Sequence, residues 1–163
     1  SCFRRNPFLE NQIFCEILAE SVNLSQGRHN FEVWAYVFMP EHVHLVIFPR
    51  DEIYSISEIL RSIKQSSSRR IIGWCSENNP GILTNFNTGQ QRIKRRFWMD
   101  GPGYDRNIYS KSELSEKINY IHNNPVLRGL VESPEDWQWS SAGFWFCGRE
   151  SKIRINPEHM PVI

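Results

Sequence analysis

An α+β fold is predicted by three observations. Residues 31–39 and 42–48 read as two strands joined by a tight turn, apolar residues recur at helical spacing on either side of them, and Ser-x-x-Glu signatures open two of the helical stretches. The chain of 163 residues, 40% hydrophobic and with ten Phe, is long enough for one domain with a real core. We expect a single domain over residues 1–148, followed by a tail at 149–163 whose role the sequence does not indicate.

The elements follow in order. Ser1 to Arg5 reads as the end of a strand, opening without an initiator Met, so sequence before Ser1 is expected. From Leu9 to Leu24, Ile13, Ile17 and Leu18 fall near helical spacing, with Gly27 as the stop. Residues 31–39 then alternate, placing Phe31, Val33, Ala35, Val37 and Met39 on one face and Trp34, Tyr36 and Phe38 on the other. Both faces are apolar, which suits a covered strand, and Pro40-Glu41 turns it into an antiparallel partner. Ser55 and Glu58 cap a second helix that carries Ile56, Ile59, Leu60 and Ile63 and ends near Asn78, before Asn79-Pro80-Gly81. Residues 81–91 are polar and Asn-rich, as in a flexible surface loop. Ser110 and Glu113 cap a third helix with Leu114, Ile118 and Ile121 on its inner line, and Asn123-Asn124-Pro125 is expected to end it.

Chemistry enters with His42 and His44. Two residues apart on a strand, they share a face, with Val46 and Phe48 continuing it, while Val43, Leu45 and Ile47 face the other way. Such a pair is either a two-toothed clamp for a metal ion or two histidines on a half-exposed sheet. Glu41 is the only carboxylate beside them, and its turn position makes it a poor base. Tyr120 and Asn124, four apart, occupy one flank of the third helix. Taken alone, Tyr120 reads as an amphipathic ring at the rim of a core.

Charge and cysteines narrow the classes. The net charge of +1 hides basic clusters at Arg4, Arg5, Arg61, Lys64, Arg69, Arg70 and across Arg92, Lys94, Arg95 and Arg96. Arg92 to Trp98 sets cations directly beside aromatics, the combination that single-stranded nucleic acid needs, although a charge-protected edge strand has the same composition. Cys2, Cys15, Cys75 and Cys147 are scattered without a Cys-x-x-Cys pair or a secretory leader, so reduced thiols in a cytoplasmic protein are expected. No apolar run approaches the about 18 residues of a membrane span.

Two segments carry a resemblance. Trp34-Ala35-Tyr36-Val37-Phe38-Met39-Pro40-Glu41-His42-Val43-His44-Leu45-Val46 and Tyr120-Ile121-His122-Asn123-Asn124-Pro125-Val126, with Arg128-Gly129-Leu130-Val131 and Trp139-Ser140-Ser141, are similar to single-tyrosine HUH transposases. Within them the chain most resembles the REP-associated tyrosine transposases, from Phe3 to about Ser141. The resemblance implies a ferredoxin-like (RRM-like) β-α-β-β-α-β sandwich with a central antiparallel sheet and helices on one face. It also implies that Tyr120 is the nucleophile, that His42, His44 and Asn124 hold Mg²⁺ or Mn²⁺, and that the reaction is metal-dependent cleavage and strand transfer of single-stranded DNA through a 5′-phosphotyrosine. Palindromic, REP-like hairpins would be the partner, gripped by Arg4, Arg5, Arg92, Lys94, Arg95 and Arg96, with Trp98 as a stacking ring. Asp105 would be a structural acceptor rather than a ligand. A monomer or homodimer associated with the bacterial nucleoid is expected, with no membrane. Two other classes fit less of the chain: a catalytically silent hairpin DNA- or RNA-binding module on the same fold, which has no use for four chemical positions, and a hydrolase that activates water.

Overall fold

The structure, a computed structural model, describes residues 1–101 and 103–162. Helix α1 (Gln12–His29) leads into strands β1 (Phe31–Met39) and β2 (His42–Pro49), followed by α2 (Ile56–Asn78), α3 (Lys111–Leu127) and the short α4 (Ala142–Cys147). β1 and β2 pair antiparallel from Phe31↔Pro49 to Met39↔His42, so the Pro40-Glu41 turn delivers His42 as the first residue of its strand. No helix among the described residues is long and apolar enough to cross a membrane.

The α+β class stands, with one correction to the layering. The described residues form a two-stranded sheet with helices on both faces, not on one. The cause is the sequence of β1, whose two faces are both apolar and therefore both need a cover. Val33, Tyr36 and Phe38, with Val43, Leu45 and Ile47 of β2, pack under α1 and α2. Trp34, Val37 and Met39, with Val46, pack under Leu114, Ile118 and Ile121 of α3. A register shift between Val33 and Ala35 interrupts simple alternation, which puts Trp34 on the α3 side, stacked on Phe48 at 4.9 Å.

Outside the hairpin, the described residues pair through isolated bridges. Cys2 pairs with Trp98, Ser140 with Val37 and Ile155 with Val33. Residues 139–141 lie along the outer edge of β1, where Phe38 N–H donates to Trp139 C=O and Ser141 N–H to Tyr36 C=O. The N-terminal segment latches the hairpin turn: Cys2 N–H donates to Glu41 C=O at 2.7 Å and Leu9 N–H to Pro40 C=O at 2.9 Å.

Helix limits moved for identifiable reasons. Asn11 caps α1 through its side-chain oxygen, and the helix runs past Gly27 to Asn30, whose left-handed φ of 46° turns the chain into β1. Its buried line is Phe14, Leu18 and Val22, while Ile13 and Leu24 are exposed. α3 passes through Pro125 to Leu127; with one turn remaining, the missing proline N–H removes a single bond that the terminus tolerates. The expected loop at 81–91 opens as a packed 3-10 turn, Pro80–Phe86, with Leu83 and Phe86 buried.

The chain after Gly148 folds back onto the sheet. Ile153 is fully buried, Ser151 Oγ lies 3.0 Å from Tyr36 Oη, and His159 bonds Glu32 while stacking on Phe48. Glu32, almost wholly buried, also accepts from Trp34 Nε1 at 2.9 Å.

Candidate metal and nucleophile site

β2 presents His42 and His44 on its α3 side, both half-buried, with their Nε2 atoms 3.1 Å apart. Adjacent ligands of an octahedral cation at about 2.1 Å stand about 3 Å apart, so both lone pairs fit one ion. Glu41 sets the tautomer. Its carboxylate lies 3.1 Å from His42 Nδ1, which must donate to it, leaving His42 Nε2 unprotonated towards the site. Burial lowers the pKa of His42 against the pull of Glu41, and burial together with His42 lowers His44 to about 4. Both rings are thus neutral, as ligands must be, at ordinary pH.

Glu41 is itself held. Arg128, just beyond α3, donates to the same carboxylate at 2.7 Å. Burial raises the Glu41 pKa, but the Arg128 hydrogen bond and the Glu41 backbone bring the net shift below the ordinary value. Neither Glu41 nor Arg128 has a role on sequence grounds, although a carboxylate directly before the first histidine is a visible signal.

α3 supplies the opposite wall. The Tyr120 ring meets His44 edge-on with centroids 5.9 Å apart, and it is 50% exposed, so its hydroxyl-bearing ring is accessible beside the imidazoles. Lys117, one turn earlier, holds its ammonium 5.8 Å from the Tyr120 ring centroid. Asn124 is buried one turn later, and its amide nitrogen donates to Tyr120 C=O at 2.9 Å. That bond engages the amide nitrogen and leaves the oxygen for other partners. Two neutral imidazoles would leave a bound dication its full charge.

The basic residues separate. Arg4 and Arg5 are exposed with φ of 55° and 54°, and Arg92, Lys94 and Arg95 are exposed on the segment beyond the 3-10 turn. Arg96 is half-buried and paired with Asp100 at 2.8 Å. Trp98 is not a stacking platform: it is 9% exposed and donates to Ser67 Oγ at 3.0 Å. Its apolar surface and its N–H both find partners inside, which is where such a ring is most stable. Asp105 is exposed, as a surface acceptor would be. Elsewhere on the sheet, Glu32, Glu158 and His159 bring ligand atoms within 4.8 Å of one another, a second acidic and histidine cluster at the tail.

Comparison with known proteins gives a concordant picture. The family model described as "Transposase IS200 like" matches residues 1–124, a span that includes His42, His44, Tyr120 and Asn124. A Haemophilus influenzae protein named as a REP-associated tyrosine transposase is 29% identical over 136 residues, covering 78% of this chain. The match spans 65% of that relative's own length, somewhat under two thirds. A solved REP-associated tyrosine transposase bound to a REP hairpin aligns with a TM-score of 0.62 at 22% identity, over 94% of this chain and 79% of that one. That likeness shows the fold.

Proposed function

The chain belongs to the IS200-like transposase family, and from that premise we propose that it cleaves and rejoins single-stranded DNA at palindromic, REP-like hairpins, with Tyr120 as nucleophile. The observation that carries this reading is the edge-on approach of Tyr120 to His44, whose Nε2 converges with that of His42. A nucleophile and a cation-binding pair face the same volume from different elements.

Tyr120 attacks the scissile phosphorus through its phenolic oxygen. The new O–P bond forms as the bond from phosphorus to the 3′-oxygen breaks, and the proton lost by the phenol is balanced by the one gained at the leaving 3′-hydroxyl. The 5′-phosphotyrosine keeps the energy of the broken bond, so a second 3′-hydroxyl reverses the step and transfers the strand. His42, His44 and Asn124 would hold Mg²⁺ or Mn²⁺, which would supply charge neutralisation at the non-bridging oxygens. Glu41 and Arg128 keep His42 in its ligating tautomer. Lys117 stands where it meets a phosphate approaching Tyr120. Arg4, Arg5, Arg92, Lys94 and Arg95, with Arg96 behind them, grip the hairpin backbone and give salt-dependent affinity.

The test is a denaturing gel of the protein with labelled palindrome-bearing single-stranded DNA and Mn²⁺, beside Tyr120→Phe. A covalent adduct that needs the metal and disappears in Tyr120→Phe is expected. Cleavage without an adduct would transfer the nucleophile role to water, and tight binding with neither would leave a binding module.

A further inference from the structure

α3 rests on the sheet through Leu114, Ile118 and Ile121, each almost wholly buried. Apolar contact of this kind has no preferred direction, so by itself it offers little resistance to a small roll of the helix about its axis. Tyr120 and Asn124 stand on one flank of that inner line. His122, roughly 200° round the helix from Tyr120, stands on the other.

His122 is fully buried, and its Nε2 lies 2.8 Å from the equally buried Ser141 Oγ. Ser141 Oγ also accepts the Tyr36 N–H at 2.9 Å and lies 3.3 Å from Tyr36 C=O, to which the Ser141 N–H donates at 3.0 Å. These contacts select a tautomer. His122 Nδ1 meets no partner among the described residues, and a buried lone pair left alone costs less than a buried N–H left alone. The proton therefore sits on Nε2 and is donated to Ser141 Oγ, while the serine hydroxyl turns to Tyr36 C=O. Next to Tyr36, Val37 pairs with Ser140 on one side and with His44 on the other. The bond thus fastens α3 beside the sheet row that carries His44, and Phe146 packs across the outer side of the His122 ring at 5.4 Å. Unlike the apolar line, a hydrogen bond has a required distance and angle.

We propose that His122 is a positioning residue, whose bond to Ser141 sets the roll of α3 and so holds Tyr120 against His44. Leverage makes the effect large. A roll of about 10° moves a side chain about 6 Å from the axis by about 1 Å, and a misplacement of that size can cost about 100-fold in rate. The consequence for rate rests on Tyr120 as nucleophile, whereas the consequence for the placement of its ring does not.

The experiment uses the full chain and two readouts. One is the single-turnover rate of adduct formation on saturating palindrome-bearing single-stranded DNA with Mn²⁺. The other, without DNA or metal, is the NMR shift of the His44 ring protons, which the Tyr120 ring current displaces and Tyr120→Ala references. His122→Phe keeps a ring but loses Nε2, and it slows the adduct about 10–100-fold while moving the His44 signal towards its Tyr120→Ala position. His122→Gln, which returns an amide nitrogen near the place of Nε2, restores both. Ser141→Ala cuts the same bond from the other end, repeats the phenylalanine result and serves where that variant does not fold. Val22→Ala, fully buried on α1 in the other layer, lowers the thermal midpoint and changes neither readout. A wild-type His44 signal in His122→Phe or Ser141→Ala overturns the proposal, as does a loss that glutamine does not restore or that Val22→Ala reproduces. No adduct from the unsubstituted chain sinks the nucleophile alone, because the His44 signal still decides whether His122 places the ring. An adduct beside a His44 signal indifferent to both cuts sinks only the positioning role.

Discussion

On one face of the β1–β2 hairpin, Tyr36 and Phe38 meet Phe14, Leu18 and Val22 of α1 and Ile59 and Ile63 of α2, and each of these side chains is almost wholly buried. On the other face His42, His44 and Phe48 are only partly covered, and α3 lies over part of that surface. The α1–α2 layer against β1 is thus sealed, whereas the β2 positions that carry the imidazoles are partly open. Because the side-chain period of a strand is two, the sealed layer fixes the backbone on which the imidazoles stand without adding any atom to the site. Rigidity comes from one side and chemistry is placed on the other.

That division sets what substitutions should do. The largest effect belongs to the open layer: Tyr120→Phe removes the covalent adduct entirely on a denaturing gel, while the thermal midpoint stays near wild type because the residue is half exposed. A large drop in the midpoint would break the contrast between the layers. Next is Phe38→Ala in the sealed layer, expected to cost about 3–5 kcal/mol in urea unfolding. A cost under about 1 kcal/mol would mean that the sealed face does not hold the hairpin. Glu41→Gln removes the charge that orients His42 and pairs with Arg128; Mn²⁺ titration calorimetry should show affinity about 10–100-fold weaker with little change in folding. The smallest effect is Asn11→Ala, which uncaps α1 and should cost about 1 kcal/mol in unfolding with metal affinity intact. A metal defect in that variant would show that the layers are less independent than their geometry implies.

Much of this architecture is legible in the sequence because it depends on local periods. The shared face of His42 and His44 follows from their spacing, and the caps at Ser55 and Ser110 lie where Ser-x-x-Glu puts them. What was not legible depends on contacts distant in sequence. The register shift at Trp34 is imposed by pairing with β2, and it exchanges the faces of the residues that precede it. Ile13 and Leu24 are apolar yet exposed, so the stripe of α1 reads one position out of phase. The packing of Ile153 and the pairing of Ile155 with Val33 join segments more than a hundred residues apart, and no local pattern announces them.

The latch on the hairpin turn has a mechanical consequence. Cys2 and Leu9 hold the carbonyls of Glu41 and Pro40 from outside the sheet, and Arg4 and Arg5 sit on the short stretch between those two anchor points. A pull on the arginines is therefore transmitted through the buried anchors Cys2 and Leu9 and their two backbone hydrogen bonds to the residues that immediately precede His42. A hairpin seated on that arm would apply tension where the imidazole pair begins, so the arm acts as a short lever with its fulcrum at the turn.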